Sequence, residues 1–228
     1  MSRSLAVLKS PVGVSMAVVV LLGVTIAIDL FALWVGFEQR GFAADFAAGH
    51  FSAGSKADAD RMDLLYGAAS IAQICVLVAT AVVFIVWFRR VRINAEVFLP
   101  EGHTHSRGWA TWGWFVPIAN FFIPRRVAAD IWNASRREPG LMGARPVSAV
   151  VNRWWGLWLA SNAIDRVAGS QYSKAEEFGA IKSATEILML SNVLGIAAAV
   201  AAILFVRALT RAQDEKALAG PGTVPFPV

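Results

Sequence analysis

Apolar residues are concentrated in four long runs, and these runs predict the architecture of the chain. They span residues 12–37, in which Asp29 is the single charged residue, 64–88, which carries no charge, 150–167 and 181–206. A helix needs about 20 apolar residues to cross a bilayer core of roughly 30 Å. The first, second and fourth runs meet this length, and the third is shorter and more polar. The pattern therefore predicts an all-α membrane protein with four transmembrane helices.

Composition supports this prediction. Hydrophobic residues make up 57% of the 228 residues and charged residues 16%, whereas soluble domains are about 45–50% apolar and about 25% charged. These values exclude secreted, fibrous and disordered proteins. The first run exceeds the 7–15 apolar residues typical of a signal peptide and has no small-residue cleavage site, so we expect a retained anchor.

Basic residues are distributed unequally between the segments that flank the runs. If both termini lie on the same side of the membrane, the segments on that side hold 15 of the 21 Lys and Arg residues. Because positively charged loops stay in the cytoplasm, we predict a membrane protein with both termini inside. The predicted cytoplasmic segments are 1–11, 89–149 and a partly disordered 207–228, and the outer loops are 38–63, partly helical, and 168–180. The pI near 9.9 then reflects topology, and no nucleic-acid partner is expected.

The predicted cytoplasmic segment is rich in tryptophan. Eight of the nine Trp residues lie in it or close to it, and Trp prefers the headgroup level of a membrane. Residues 108–123 are apolar but would form a helix only about 24 Å long, interrupted by Pro117 and Asn120. Backbone of this kind is tolerated at membrane depth where protein or a water-filled cavity surrounds it. We therefore predict a re-entrant or interfacial element over 108–124.

The following residues, 125–137, have apolar positions on one helical face and arginines largely elsewhere. This pattern predicts an amphipathic helix lying in the interface, with its arginines directed toward anionic lipid headgroups. The predicted headgroup ligands are Arg125, Arg126, Arg136 and Arg137. A specific docking site for a partner is the alternative.

Short motifs across this region resemble those of a known family. They are Arg92-x-Asn94-Ala95, Ser106-x-Gly108-Trp109, Gly113-Trp114-Phe115-x-Pro117-Ile118-x-Asn120, Pro124, Asp130-Ile131-Trp132, Ser135 and Trp154-Trp155-x-x-Trp158. Together they are similar to a family of actinobacterial multi-pass membrane proteins catalogued as domain of unknown function 4328. The resemblance covers roughly residues 60–210. It implies a membrane fold in the bacterial plasma membrane and no particular activity.

Asp29 is the most informative single residue. It lies roughly 12 Å inside the end of its run, where a carboxylate costs about 2.5–3.5 kcal/mol on insertion scales. The other runs offer Gln73, Asn162, Asp165 and Glu186 at comparable depth. One interpretation is a proton, ion or ligand site. The other is a set of interhelical hydrogen bonds that fix helix register, each worth about 0.6 kcal/mol.

Catalytic and metal motifs are sparse in the sequence. Glu101, His103 and His105 alternate, so an extended segment would direct them to one side as part of a metal site. A complete ligand set would need further carboxylates or a second subunit, and a polar loop is the simpler interpretation, so we assign no metal. Gly-x-Ser-x-Gly, His-Glu-x-x-His and phosphate-binding glycine loops do not occur. The sequence does not identify a cofactor, which stays unknown, and it favours a non-enzymatic protein.

These observations predict an accessory or scaffold subunit of a larger membrane assembly. Its partners would be membrane lipids, including anionic headgroups, and other membrane subunits or a second copy of the chain. The residues expected to form the interfacial or partner-binding element are Trp109, Trp114, Pro117, Asn120, Pro124, Trp132, Trp154 and Trp155. The alternatives are a small transporter or channel that uses the intramembrane carboxylates, and an intramembrane enzyme acting on a lipid.

Overall fold

The computed structural model describes residues 7–47, 55–136, 149–174 and 178–220. These residues form six helices and no β-strand, which confirms the all-helical prediction. The helices are α1 (Val12–Ala47), α2 (Ser55–Phe98), α3 (Trp109–Trp112), α4 (Ile123–Ser135), α5 (Ala149–Tyr172) and α6 (Phe178–Leu218).

Among the described residues, three helices are long and apolar enough to cross a membrane. The qualifying segments are Val12–Gly41 in α1, Asp60–Phe98 in α2 and Ser183–Leu218 in α6. They confirm a membrane-embedded protein. With 24 residues, α5 is long enough, but Asn162, Asp165 and their polar neighbours lower its hydropathy. The fourth span therefore stays a prediction.

Helix bounds extend beyond the apolar runs. The first run continues as helix to Ala47, and α2 covers Ser55–Phe98. Helix α4 begins at Ile123, earlier than the predicted start at residue 125, because a proline with its fixed φ suits the first turn of a helix, where Pro124 lies. Its last residue is Ser135, and the predicted end at Arg137 lies outside the described residues.

The chain divides into two compact units. The first comprises Met1–Val19, Val82–Asn152 and Ile203–Val228, and the second comprises Val20–Ala81 and Arg153–Ala202. Helices α1, α2, α5 and α6 each contribute residues to both units.

The core of the first unit is built from large side chains. Trp87 and Phe88 of α2, Ile131 of α4, and Phe205 and Leu209 of α6 are fully buried. The Trp87 ring meets Phe205 edge-on, with 5.7 Å between centroids. The buried indole N–H of Trp87 donates to Thr210 Oγ1 at 3.1 Å, so the ring is buried without leaving a polar atom unsatisfied.

The second unit is built more from small side chains and polar contacts. Its buried residues include Ala32, Ala69, Ala168, Ala184 and Ala198, and small residues let membrane helices approach closely. Tyr66 stacks on Tyr172 with 5.3 Å between ring centroids. Gln39 donates to the Tyr172 hydroxyl at 3.3 Å and accepts from Thr185 at 3.2 Å. These contacts join all four of its helices, α1, α2, α5 and α6.

Candidate functional site

Residues 109–122, here called the aromatic element, form a chain of short turns. It begins with the single turn of α3 and ends with a 3₁₀ turn at Ala119–Phe121. Between them, the backbone N–H of Ala119 donates to Pro117 O at 2.7 Å, which places Ile118 at the centre of a γ-turn with φ 66° and ψ −49°. Ile118 is the one described non-glycine residue with positive φ. This turn type is rare and strained.

One face of the aromatic element is fixed to α2. Trp114 meets Phe84 and Phe88 edge-on, with centroid distances of 5.7 and 5.8 Å. Gly113 packs so closely that a Cβ there would lie 2.6 Å from Trp109 O and 3.1 Å from Ile123 Cγ2. Only glycine fits at this position without displacing its neighbours.

The other face of the aromatic element is exposed and apolar. Its large side chains have exposed fractions between 39% and 74%. They are Trp112, Phe115, Val116, Ile118, Phe121 and Phe122. A soluble surface rarely carries so continuous an apolar patch. This face therefore marks a surface adapted to lipid or to another protein.

Charged and polar groups hold the loop that precedes the aromatic element. Glu96 accepts hydrogen bonds from Arg92 Nη1 at 3.2 Å and Arg107 Nε at 2.6 Å, and this contact raises the pKa of Arg107. Arg92 Nη2 also donates to His105 O at 2.8 Å. Asp130 Oδ2 accepts from the backbone N–H and the hydroxyl of Thr104, at 2.9 and 2.7 Å. The loop is thereby anchored to both α2 and α4.

A second set of hydrogen bonds, here called the amide knot, lies deeper in the first unit. Asn94 Nδ2 donates to Lys9 O at 2.8 Å and to Gln213 Oε1 at 3.1 Å, and Lys9 N donates back to Asn94 Oδ1. Gln213 Nε2 donates to Val91 O at 2.9 Å and Ser135 Oγ at 3.1 Å. The amide knot joins the N-terminal segment, α2, α4 and α6. Gln213 was missed in the sequence because a single amide near a helix end carries no recognisable motif.

The predicted lipid-binding arginines have different environments. Arg125 donates through Nε and Nη2 to Asn152 Oδ1, at 3.2 and 2.8 Å, so its guanidinium is held by protein. Arg126 and Arg136 are exposed. Lys216 Nζ donates to the carbonyls of Ala134 and Arg136, at 2.7 and 2.8 Å, which satisfies the C-terminal end of α4. Arg137 lies outside the described residues.

The predicted partner-binding residues also separate into groups. Trp109, Trp114 and Trp132 are half-buried, Pro117 is exposed and Pro124 is buried. Asn120 is half-buried, and its Oδ1 is buried with no hydrogen-bond partner among the described residues.

Trp154 and Trp155 are only 2% and 4% exposed. They meet edge-on at 5.5 Å, and Trp155 stacks on Trp158 at 4.8 Å between centroids. This tryptophan pair is therefore part of the interior, and the exposed aromatic side chains of the aromatic element are those at 112, 115, 121 and 122.

Glu101, His103 and His105 do not come together as a metal site. Glu101 is exposed, and His105 Nδ1 lies 2.8 Å from Thr104 Oγ1. Burial lowers the pKa of His103, and the positive charge of Arg92 adds to this effect. In the part of the chain that the structure describes, no three His, Cys, Asp or Glu side chains are arranged to hold a metal ion.

The second unit contains a polar cluster formed by Asp29, Gln73, Asp165, Ser191 and Asn192. Gln73 Nε2 donates to Asp29 Oδ1 and to Asn192 Oδ1, both at 3.0 Å. The Ser191 hydroxyl donates to Asp165 Oδ1. Asp29 is 6% exposed. The carboxyl groups of Asp29 and Asp165 are close enough to interact electrostatically.

Two of the predicted cluster residues lie in other contacts. Asn162 Nδ2 donates to Trp158 O on its own helix at 2.7 Å. Glu186 forms an ion pair with Arg40 at 3.0 Å, and both side chains are 47% exposed. In the structure, Asn162 and Glu186 do not belong to the polar cluster, whereas Ser191 and Asn192 do. These two residues were missed because short polar side chains hardly change the hydropathy of a long apolar run.

The comparisons with known proteins place this chain in a family. The model of the family described as domain of unknown function (DUF4328) matches residues 51–211. The chain belongs to DUF4328. No curated protein and no solved structure matches it. The region shared with DUF4328 includes the aromatic element and most of the polar cluster, whereas Asp29 precedes it.

Proposed function

We propose that this DUF4328 protein is a non-enzymatic accessory or scaffold subunit of the bacterial plasma membrane. In this proposal it has four membrane-spanning helices, cytoplasmic termini, and an aromatic element that docks a membrane-embedded partner. The observation that carries the proposal is the exposed apolar face of an element that is otherwise firmly held by protein.

The depth of the aromatic element supports docking within the membrane. Trp114 packs on Phe84 and Phe88, which belong to the apolar part of α2. The exposed side chains of the same element therefore meet acyl chains or an apolar protein surface. Large aromatic side chains on a fixed backbone are typical of binding hot spots. Fixing them in advance also reduces the entropy lost when a partner binds.

Helix α5 is consistent with a fourth span. Its 24 residues measure about 36 Å at 1.5 Å per residue. Asp165 accepts a hydrogen bond from Ser191, and Asn162 donates to Trp158 O. Polar side chains that are bonded within the protein cost less in a bilayer than unpaired ones. With α5 as a span, both termini lie on one side, as the distribution of basic residues favours.

The exposed arginines support an anionic lipid partner at the membrane surface. Arg126 follows Phe122 by one helical turn, and Arg136 follows the last residue of α4; both are exposed. Basic residues close to an anionic surface contribute about 1 kcal/mol each. They would hold α4 at the headgroup level.

Site-specific photocrosslinking tests the docking proposal. A photoreactive phenylalanine analogue replaces Phe115 in one sample and the exposed Val82 of α2 in the matched control. We expect a crosslink to one membrane polypeptide from position 115 and only lipid adducts from position 82. The proposal fails if position 115 also yields lipid adducts alone.

A further inference from the structure

Asp29 occupies an enclosed place in the membrane-spanning part of α1. Its side chain is 6% exposed. Oδ1 accepts from Gln73 Nε2 of α2 at 3.0 Å. On the side of α6, Gly195 packs so closely that a Cβ there would lie 3.0 Å from Oδ2. The carboxyl group is thus enclosed by α2 and α6, and the missing side chain at Gly195 leaves room for Oδ2.

Among the residues that the structure describes, the groups around Asp29 do not supply a positive charge. Gln73 of α2 and Asn192 of α6 are neutral amides, and the titratable group that acts on Asp29 is the Asp165 carboxyl of α5. The described arginine of α1, Arg40, is paired with Glu186 of α6. A buried carboxylate without a cationic partner is strongly unfavourable, and a neighbouring carboxylate adds repulsion. Charge balance therefore requires a proton or a bound cation.

The geometry favours a proton. A hard cation such as Na⁺ or Ca²⁺ needs several oxygen ligands that point to one centre. Here Gln73 Nε2 points its N–H groups at Asp29 Oδ1 and Asn192 Oδ1, so both oxygens already face a donor. Asp29 Oδ2 accepts no hydrogen bond from any described residue, although its side chain is more than nine-tenths buried. This oxygen is free to carry a hydrogen.

We propose that Asp29 is a proton-binding site, with the hydrogen on Oδ2 and with Gln73 holding Oδ1. The site lies in the second unit and is independent of partner docking by the aromatic element. Release of the proton would create an unpaired carboxylate beside Asp165. Proton binding would thereby be linked to the packing of α1 against α2 and α6, which gives this membrane protein a response to proton concentration.

Infrared spectroscopy of the full chain in lipid bilayers tests the proposal. With ¹³C-labelled aspartate side chains, a buried carboxylic acid gives an isotope-shifted C=O stretch that changes again in D₂O. We expect such a band at pH 7 in the wild type, its loss in Asp29→Asn, and its retention in Asp165→Asn. A band that depends on Asp165 and not on Asp29 would overturn the proposal, and so would the lack of any acid band.

Two further measurements distinguish Asp29 from the other carboxyl groups and a proton from a metal cation. Dicyclohexylcarbodiimide modifies protonated carboxyls in apolar surroundings, and peptide mass spectrometry of the wild type then shows which aspartate reacted, without relying on a variant that folds. We expect the adduct on Asp29, and an adduct confined to other carboxyls contradicts the assignment. The infrared experiment is also repeated in sodium and in choline chloride. Replacement of the acid band by carboxylate bands in sodium alone would assign the site to a metal cation and reject the proton.

Discussion

Asn94 of α2 and Gln213 of α6 are joined by a side-chain hydrogen bond of 3.1 Å, and each is 1% exposed. Every bond of the amide knot passes through one of these two side chains. A buried polar group that loses its partner costs about 1–3 kcal/mol. The knot therefore stabilises the first unit only while both amides are present.

Replacing Gln213 with leucine should destabilise the protein by about 2–4 kcal/mol, since it leaves Asn94 Nδ2, Val91 O and the Ser135 hydroxyl without this partner. The free energy of unfolding, measured by titration with a denaturing detergent, checks this. Arg211→Gln on the same helix is the matched control: its ion pair with Glu215 is exposed, so little change is expected. Equal losses of stability in the two variants would show that the amide knot contributes no more to stability than an exposed ion pair does.

Substituting Gly113 with alanine should displace the aromatic element, because the new Cβ would lie 2.6 Å from a backbone oxygen. We expect a loss of about 1–3 kcal/mol in stability and a weaker photocrosslink from position 115. Gly156→Ala is the control, since a Cβ there meets nothing within 4 Å. Thermal unfolding and crosslink yield are measured on both, and an unchanged yield in Gly113→Ala would argue against a fixed docking face.

Ile118→Gly should relieve the strained γ-turn. A non-glycine residue held in such a region costs about 1–3 kcal/mol, and part of this gain is offset by the extra chain entropy of glycine, about 0.5–1 kcal/mol. We expect a small rise in the thermal midpoint together with weaker partner crosslinking, because an exposed apolar side chain is lost. A fall in stability would mean that burial of the Ile118 side chain in the membrane outweighs the strain.

Apolar runs were sufficient to predict the membrane-spanning parts of α1, α2 and α6. Hydropathy sums over many residues, so errors at single positions matter little. The summed hydropathy of α5 is lower because this helix contains Asn162 and Asp165. The hydrogen bonds that satisfy these two side chains are visible only in the structure.

Single contacts were harder to predict. Asp29 and Gln73 were both singled out by their polarity in apolar runs, and the structure brings them to 3.0 Å. The third member, Asn192, depends on the rotation of α6 about its axis, which no local pattern specifies. Trp154 and Trp155 show the same limit: an aromatic pair is equally suited to a surface and to a core, and only the structure shows that both side chains are buried.

Arg126 and Arg136 should contribute to binding of anionic lipid, whereas Arg125 should contribute less because Asn152 holds its guanidinium. At about 1 kcal/mol per basic residue, each of Arg126→Gln and Arg136→Gln should weaken binding to anionic lipid about fivefold. Native mass spectrometry with a titrated anionic lipid measures this against Arg125→Gln. A larger effect from Arg125→Gln would place the headgroup at Asn152 instead.

Acidification should destabilise the first unit through His103. Its pKa is lowered by burial and by Arg92 in the folded protein, while Asp130 and Glu96 oppose the shift. The unfolded chain therefore takes up a proton at a higher pH than the folded chain does, so stability is complete above the usual His pKa of about 6.5 and falls as the pH drops below it. The free energy of unfolding, measured from pH 8 to pH 5, should show this decline. His103→Gln should make the decline smaller. His105→Gln is the control; a decline that follows His105 and not His103 would contradict the assignment.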